Sequence, residues 1–229
     1  MGLTVIALWA AIAYLILPTG WRVVEHRHPA LTDAPRRTHT ASGIPGDPLN
    51  VGIVASTDDL HRALLAAGWF PADPLTLKSS LRIAADTVLH REYTEAPVSN
   101  LFLWNRKEDF AFEQPVGDDP SRRHHVRFWK STRLDDAGRP LWIGSATFDQ
   151  RVGLSHTTGQ ITHHIAPDID AERDKLLTDL QTAHALIELT WIDGFQTELT
   201  GKNGGGDPYH TDGRLGVGIA ATTIPAATK

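Results

Sequence analysis

The hydrophobic and polar positions of this chain change period several times, and the changes divide it. From Gly2 to Leu17 the residues GLTVIALWAAIAYLIL run for sixteen positions without a charge, and Pro18, Thr19, Gly20 and Trp21 follow before Arg22. A spanning helix wants about 20 apolar residues, so 1–21 is expected as an N-terminal transmembrane anchor with Trp21 at the headgroup level. No Lys or Arg precedes the run and no small-x-small cleavage site stands out after it, which favours an uncleaved anchor over a secretory signal. From Glu25 to Asp47 the composition turns to His, Arg, Pro, Thr and Ser, with Pro29, Pro35 and Pro45 breaking any helix. Residues 22–47 therefore read as a linker, too poor in apolar groups to offset the entropy of ordering.

The body, 48–222, begins with a buried strand over Leu49 to Ala55. A helix follows, capped by Ser56 or Thr57, with Asp58 and Asp59 at the positive end of its dipole and Leu60, Leu64 and Ala67 on one face. A second helix is predicted over Thr76 to Leu89 from the 3.6 period of Leu77, Leu81, Ala84, Ala85 and Val88. Asn100 to Trp104 and Asp109 to Gln114 read as a hairpin. His124 to Lys130, Leu141 to Gln150 and Gln160 to Ala166 read as three strands whose neighbours pair antiparallel. A third helix over Ala171 to His184, a strand over Ala185 to Ile192 and a last strand over Leu215 to Ala221 close the body, leaving 223–229 as a tail. The order argues an α+β fold, a largely antiparallel sheet with about three packing helices behind one transmembrane helix.

Composition narrows the function classes. The 229 residues, 41% hydrophobic and 21% charged, suffice for one sizeable core plus an appendage. A net charge of −5 without a basic cluster gives no reason to expect a nucleic-acid partner. The absence of cysteine excludes disulfides, zinc–thiolate sites and thiol catalysis. Arg22, Arg27, Arg36 and Arg37 behind the apolar segment outnumber Glu25 and Asp33, which places the body of a single-pass membrane protein on the cytoplasmic side.

The unusual residues gather between Arg122 and Asp174, which hold five of the twelve histidines and both adjacent His pairs. Because side chains alternate along a strand, each pair sends one ring to each face: His124 goes with Val126 and Phe128, and His125 with Arg127 and Trp129. Strands flanking a common neighbour lie about 9.6 Å apart, so imidazoles reaching inward from the first and third strands can share an ion with Asp149 on the middle one. The candidate metal residues are His124, His125, His163, His164 and Asp149, and a two-His-one-carboxylate set suits a divalent transition metal. The catalytic candidates are His125, His164 and Asp149, with Arg127 as an anion clamp. The plain alternative is one hydrogen-bonded core imidazole and one surface ring per pair. Asp168, Asp170 and Glu172 invite an acid–base reading, but helix N-capping explains them more simply. Arg127 and Arg173 pair by default with acidic residues. Ser155-His156 lacks an elbow motif for a nucleophile, and GKNGGGD over 201–207 reads as a flexible loop without phosphate-loop spacing.

The stretches DPLNVGIVAS, AAGWFPADPLTLKSSLRIA, APVSNLFLW, FAFEQPVG, RHHVRFW, LWIGSATFD and THHIAPDIDAERD, in order from about Asp47, resemble the LssY C-terminal domain family. The resemblance implies a bacterial membrane-associated domain of unknown activity. It also implies association with DedA-like or type 2 phosphatidic acid phosphatase membrane modules, and it carries over no catalytic residue. The phosphatase sequence Pro-Ser-Gly-His is absent. Two functions are therefore carried forward: a membrane-tethered accessory or binding domain of the envelope, and a metal-dependent hydrolase acting on a phosphorylated or lipid-related substrate.

Overall fold

The computed structural model describes residues 35–40, 43–72, 101–117, 122–157 and 161–224, besides Thr4. The expected anchor and the expected helix over 76–89 lie outside the described residues, among which no helix is long and apolar enough to cross a membrane. Two helices are described: α1 (Thr57–Ala66) and α2 (Ile169–Thr182). Ser56 caps α1 by accepting from the backbone of Asp59, and Asp168 caps α2 by accepting from Asp170 and Ala171. Capping thus accounts for Asp168.

Fourteen strands make up the rest of the described structure, which is mostly β. In chain order they are β1 (Arg37–Thr40), β2 (Pro45–Pro48), β3 (Val51–Val54), β4 (Phe70–Pro71), β5 (Leu101–Leu103), β6 (Arg106–Lys107) and β7 (Phe110–Pro115). They continue with β8 (Arg123–Leu134), β9 (Pro140–Leu154), β10 (Ile161–Ile165), β11 (Leu186–Ile192), β12 (Thr200–Lys202), β13 (Pro208–His210) and β14 (Leu215–Ala220). The main sheet has the order β11-β14-β3-β9-β8-β7-β4, with β10 also paired to β9. Its pairings are antiparallel except for β14 against β3.

The alternation along β8 and β9 sorts the interior into two cores. Val126, Phe128, Trp142 and Ala146 face the helices, where they meet Leu60, Leu64, Leu176 and Leu180. Trp129, Leu141 and Ile143 face the opposite way and meet Leu101 and Leu103 of a small sheet ordered β2-β1-β5-β6. Asn50 fastens the layers from inside. Fully buried, it donates to the carbonyls of Ala146 and Ile169 and accepts from the N–H of Ala146, so both ends of its amide are satisfied.

Two expectations need correction. The stretch from Arg37 to Pro48 is not a tether: β1 and β2 pair antiparallel, and Thr38 is buried with its hydroxyl donating to the carbonyl of Asp47. Its ordering is offset by contacts with distant chain, such as Arg37 with the carbonyl of Lys202, which local composition does not reveal. The hairpin expected between 100–104 and 109–114 does not form either. Trp104 and Asn105 take left-handed backbone (φ 51° and 59°) and turn β5 onto β6, while β7 leaves for the main sheet.

Candidate functional site

Beyond the apolar rows of β8 and β9, their outward-alternating positions turn polar. Arg123, His125 and Arg127 share one face of β8, opposite Asp149, Thr147 and Ser145 of β9. This face lies on the side away from the helices, and loops carry further charged groups onto it. Arg123 donates to Glu113 Oε2 at 2.9 Å and to Asp149 Oδ2 at 3.1 Å. Its Nη2 also donates to His163 Nε2 at 3.2 Å. A guanidinium only donates, so Nε2 of His163 is the acceptor and the ring proton sits on Nδ1, which faces Asp149 Oδ2 at 3.5 Å. Arg127 donates to Asp47 Oδ2 at 3.3 Å, and Asn203 donates to Asp47 Oδ1 at 3.1 Å. His164 Nδ1 donates to Asp207 Oδ1 at 2.6 Å.

The electrostatics are those of charges removed from water. Burial pushes Asp47 above the usual carboxylate range despite Arg127 and Asn203, and pushes Asp149 up despite Arg123 and Arg127. Burial also drives His125 well below the ordinary imidazole value, with Arg127, Arg123 and His163 adding repulsion, so its ring is neutral. The network is acid-rich: Asp47, Glu113, Asp149 and Asp207 make four carboxylates against two guanidiniums, Arg123 and Arg127. Several of its atoms stay unmatched. His125 Nδ1, Arg127 Nε, Ser145 Oγ and His164 Nε2 are buried without a hydrogen-bonding partner.

Residues 31–215 match the family model described as LssY C-terminus. The chain belongs to the LssY C-terminal family. No curated protein and no solved structure matches it. Within this LssY C-terminal domain, therefore, roles are assigned from geometry alone.

The six candidates divide among three places. His124 faces the helices, where Nδ1 donates to Glu172 Oε2 at 2.8 Å and the ring lies beside Trp69 and Phe148. Burial pushes Glu172 up in spite of that bond. His125, Arg127 and Asp149 occupy the polar face, joined there by His163. His164 goes elsewhere: the register slips between His164 and Ile165, so that His164 lies opposite Arg151 and reaches Asp207, while Ile165 lies opposite Asp149. Arg173 is fully buried and pairs with Asp170, Asp174 and Asp212.

The sequence reading missed Asp47, Glu113, Arg123 and Asn203 on the polar face, and Asp207 and His156 beside His164. Asp207 and His156 come from two segments weighed separately. The GKNGGGD stretch is the turn of the β12–β13 hairpin, closed by Asn203 N–H to the Asp207 carbonyl at 2.9 Å and Gly206 N–H to the Asn203 carbonyl at 3.0 Å. Gly205 accepts from the backbone of His156 at 2.8 Å, which lays the Ser155-His156 loop against that turn. The available signal was the excess of glycine beside an Asp, a composition that lets two backbones meet.

Proposed function

We propose that this LssY C-terminal domain is a membrane-tethered accessory or binding domain of the bacterial envelope, attached through residues 1–21 with its body on the cytoplasmic side. One observation supports the binding role. His125 Nδ1, Arg127 Nε and Ser145 Oγ are buried on one face of β8 and β9 without a partner. A stranded buried polar group costs about 1–3 kcal/mol, so stability alone does not explain a face that keeps three. A polar ligand group that meets them does. The apolar stretch from Gly2 and the arginines behind it support the attachment and its sidedness. The membrane partners suggested by the family resemblance are DedA-like or phosphatase-type proteins.

A second reading, a metal-dependent hydrolase of a phosphorylated or lipid-related substrate, is favoured by imidazoles set against carboxylates: His163 beside Asp149, and His164 beside Asp207. One experiment separates the two. The full chain in detergent is mixed with phosphatidic acid micelles, with chelator or with added zinc, and bound lipid and released phosphate are both measured. The accessory reading expects saturable binding, weakened in Arg127→Gln, and no phosphate release under either condition. Zinc-dependent release lost in His164→Gln would transfer the case to the hydrolase. Equal binding by wild type and Arg127→Gln would remove the polar face as the binding site.

A further inference from the structure

His156, His164 and Asp207 offer ligating atoms that all lie within 4.8 Å of one another. We infer that His156 and His164, with Asp207 behind the His164 ring, form a divalent transition-metal site at the junction of β10 with the β12–β13 turn, a different residue set from the one centred on Asp149. Asp207 accepts from His164 Nδ1 through one carboxylate oxygen and from the N–H of Ile165 through the other. With its proton on Nδ1, the His164 ring presents Nε2 as a lone pair. That nitrogen is buried and has no hydrogen-bonding partner, in a residue only 2% exposed. A carboxylate behind an imidazole is the usual arrangement that fixes tautomer and basicity in a metal-binding histidine.

His156 supplies the second ring. It is exposed, and its centroid stands 5.1 Å from that of His164. The site thus has one wall rooted in the fold and one open to solvent, which leaves coordination positions for water or a ligand and gives the ion a way in.

The surrounding glycines are what let the three residues converge. Gly206 has φ +87°, and a Cβ there would lie 2.8 Å from that of His156. A Cβ on Gly153 would lie 2.8 Å from His164 Nε2 and 2.9 Å from Arg151 Nη1. Arg151 is exposed and so can swing into solvent when a cation takes its place. In this site Arg151 is a competitor of the ion. The acid excess of the adjoining network favours a dication over an anion, since a buried negative surplus is relieved by protons or by metal.

The inference shares His164 and Asp207 with the hydrolase reading but does not depend on it, because an ion held here can be structural. The test is titration of the untagged, chelator-treated full chain with zinc and with cobalt, read by calorimetry and by the visible absorption of bound cobalt. One equivalent is expected, together with a rise in melting temperature. His156→Ala changes an exposed side chain and leaves the metal-free melting temperature unchanged, yet abolishes the cobalt spectrum. Asp207→Asn weakens binding by about 10- to 100-fold, and Arg151→Ala tightens it. The inference is overturned if neither ion binds saturably, if His156→Ala binds as wild type does, or if binding disappears only on replacing His26 and His28.

Discussion

Two buried arginines of this domain live under opposite conditions. Arg173 donates five hydrogen bonds, to Asp174, Asp170, both oxygens of Asp212 and the carbonyl of Arg214. Its guanidinium also stacks against Trp191, 4.8 Å from the ring centroid. Burial works against its charge, but its bonds to Asp212 and Asp174 raise it well above the ordinary guanidinium value. Asp212, which burial alone would raise, is held below the usual carboxylate range by Arg173 and Arg214. Arg127, also buried, donates one bond among the described residues, at 3.3 Å, and keeps a buried Nε unmatched. Every guanidinium nitrogen of Arg173 has an acceptor. A charge buried and left partly unmatched has spare donors, and in the binding role proposed above those donors are what a ligand would meet.

The contrast can be broken in graded steps. Arg173→Met removes the cation shared by Asp170, Asp174 and Asp212 at the α2–β14 junction, leaving Asp212 only Arg214, and is expected to lower unfolding free energy by about 3 kcal/mol, measured in urea, without altering cobalt binding. Arg127→Met should cost less, about 1–2 kcal/mol, because Asp47 keeps its bond from Asn203. Combining it with Asp47→Leu should recover most of that loss, whereas Arg173→Met with Asp212→Leu should not, since Asp170 and Asp174 remain. The third step uses pH. The unfolded His125 takes up a proton near its ordinary value of 6.5, while the native ring stays neutral because burial and then Arg127 depress it. Between those values the unfolded chain holds more protons, so stability falls as pH drops below about 6.5, by at most about 1.4 kcal/mol per pH unit. His125→Gln should flatten that slope in urea midpoints taken from pH 7 to pH 5. A wild-type slope unchanged by the substitution would mean that another group carries it.

Much of the architecture was legible where the period is strong. The β8–β9–β10 meander follows from alternation, and α2 follows from Asp168 and the leucines behind it. His124 and His125 also part to opposite faces as a strand demands. The candidate site was legible in part, because period fixes which face a side chain takes but not how neighbouring strands are offset. A one-residue slip after His164 moved that ring from Asp149 to Asp207, which lies in a turn 43 positions downstream. The small sheet was hidden for a related reason. Arg37 to Pro48 has a linker's composition, and what holds it, the bonds from Gln196 to the carbonyls of Arg36 and Leu49, comes from far along the chain.

β14 lies between β11 and β3, in the interior of the main sheet and parallel to β3. During synthesis β3 leaves the ribosome early, and β9 can cover one of its sides as soon as the β8–β9 hairpin emerges. Its other side stays an open ladder of amides and carbonyls until nearly all of the domain has been made, and open ladders recruit other chains. The sheet closes last at its middle. A nascent chain stalled before Leu215 is therefore the form of this protein most in need of a chaperone.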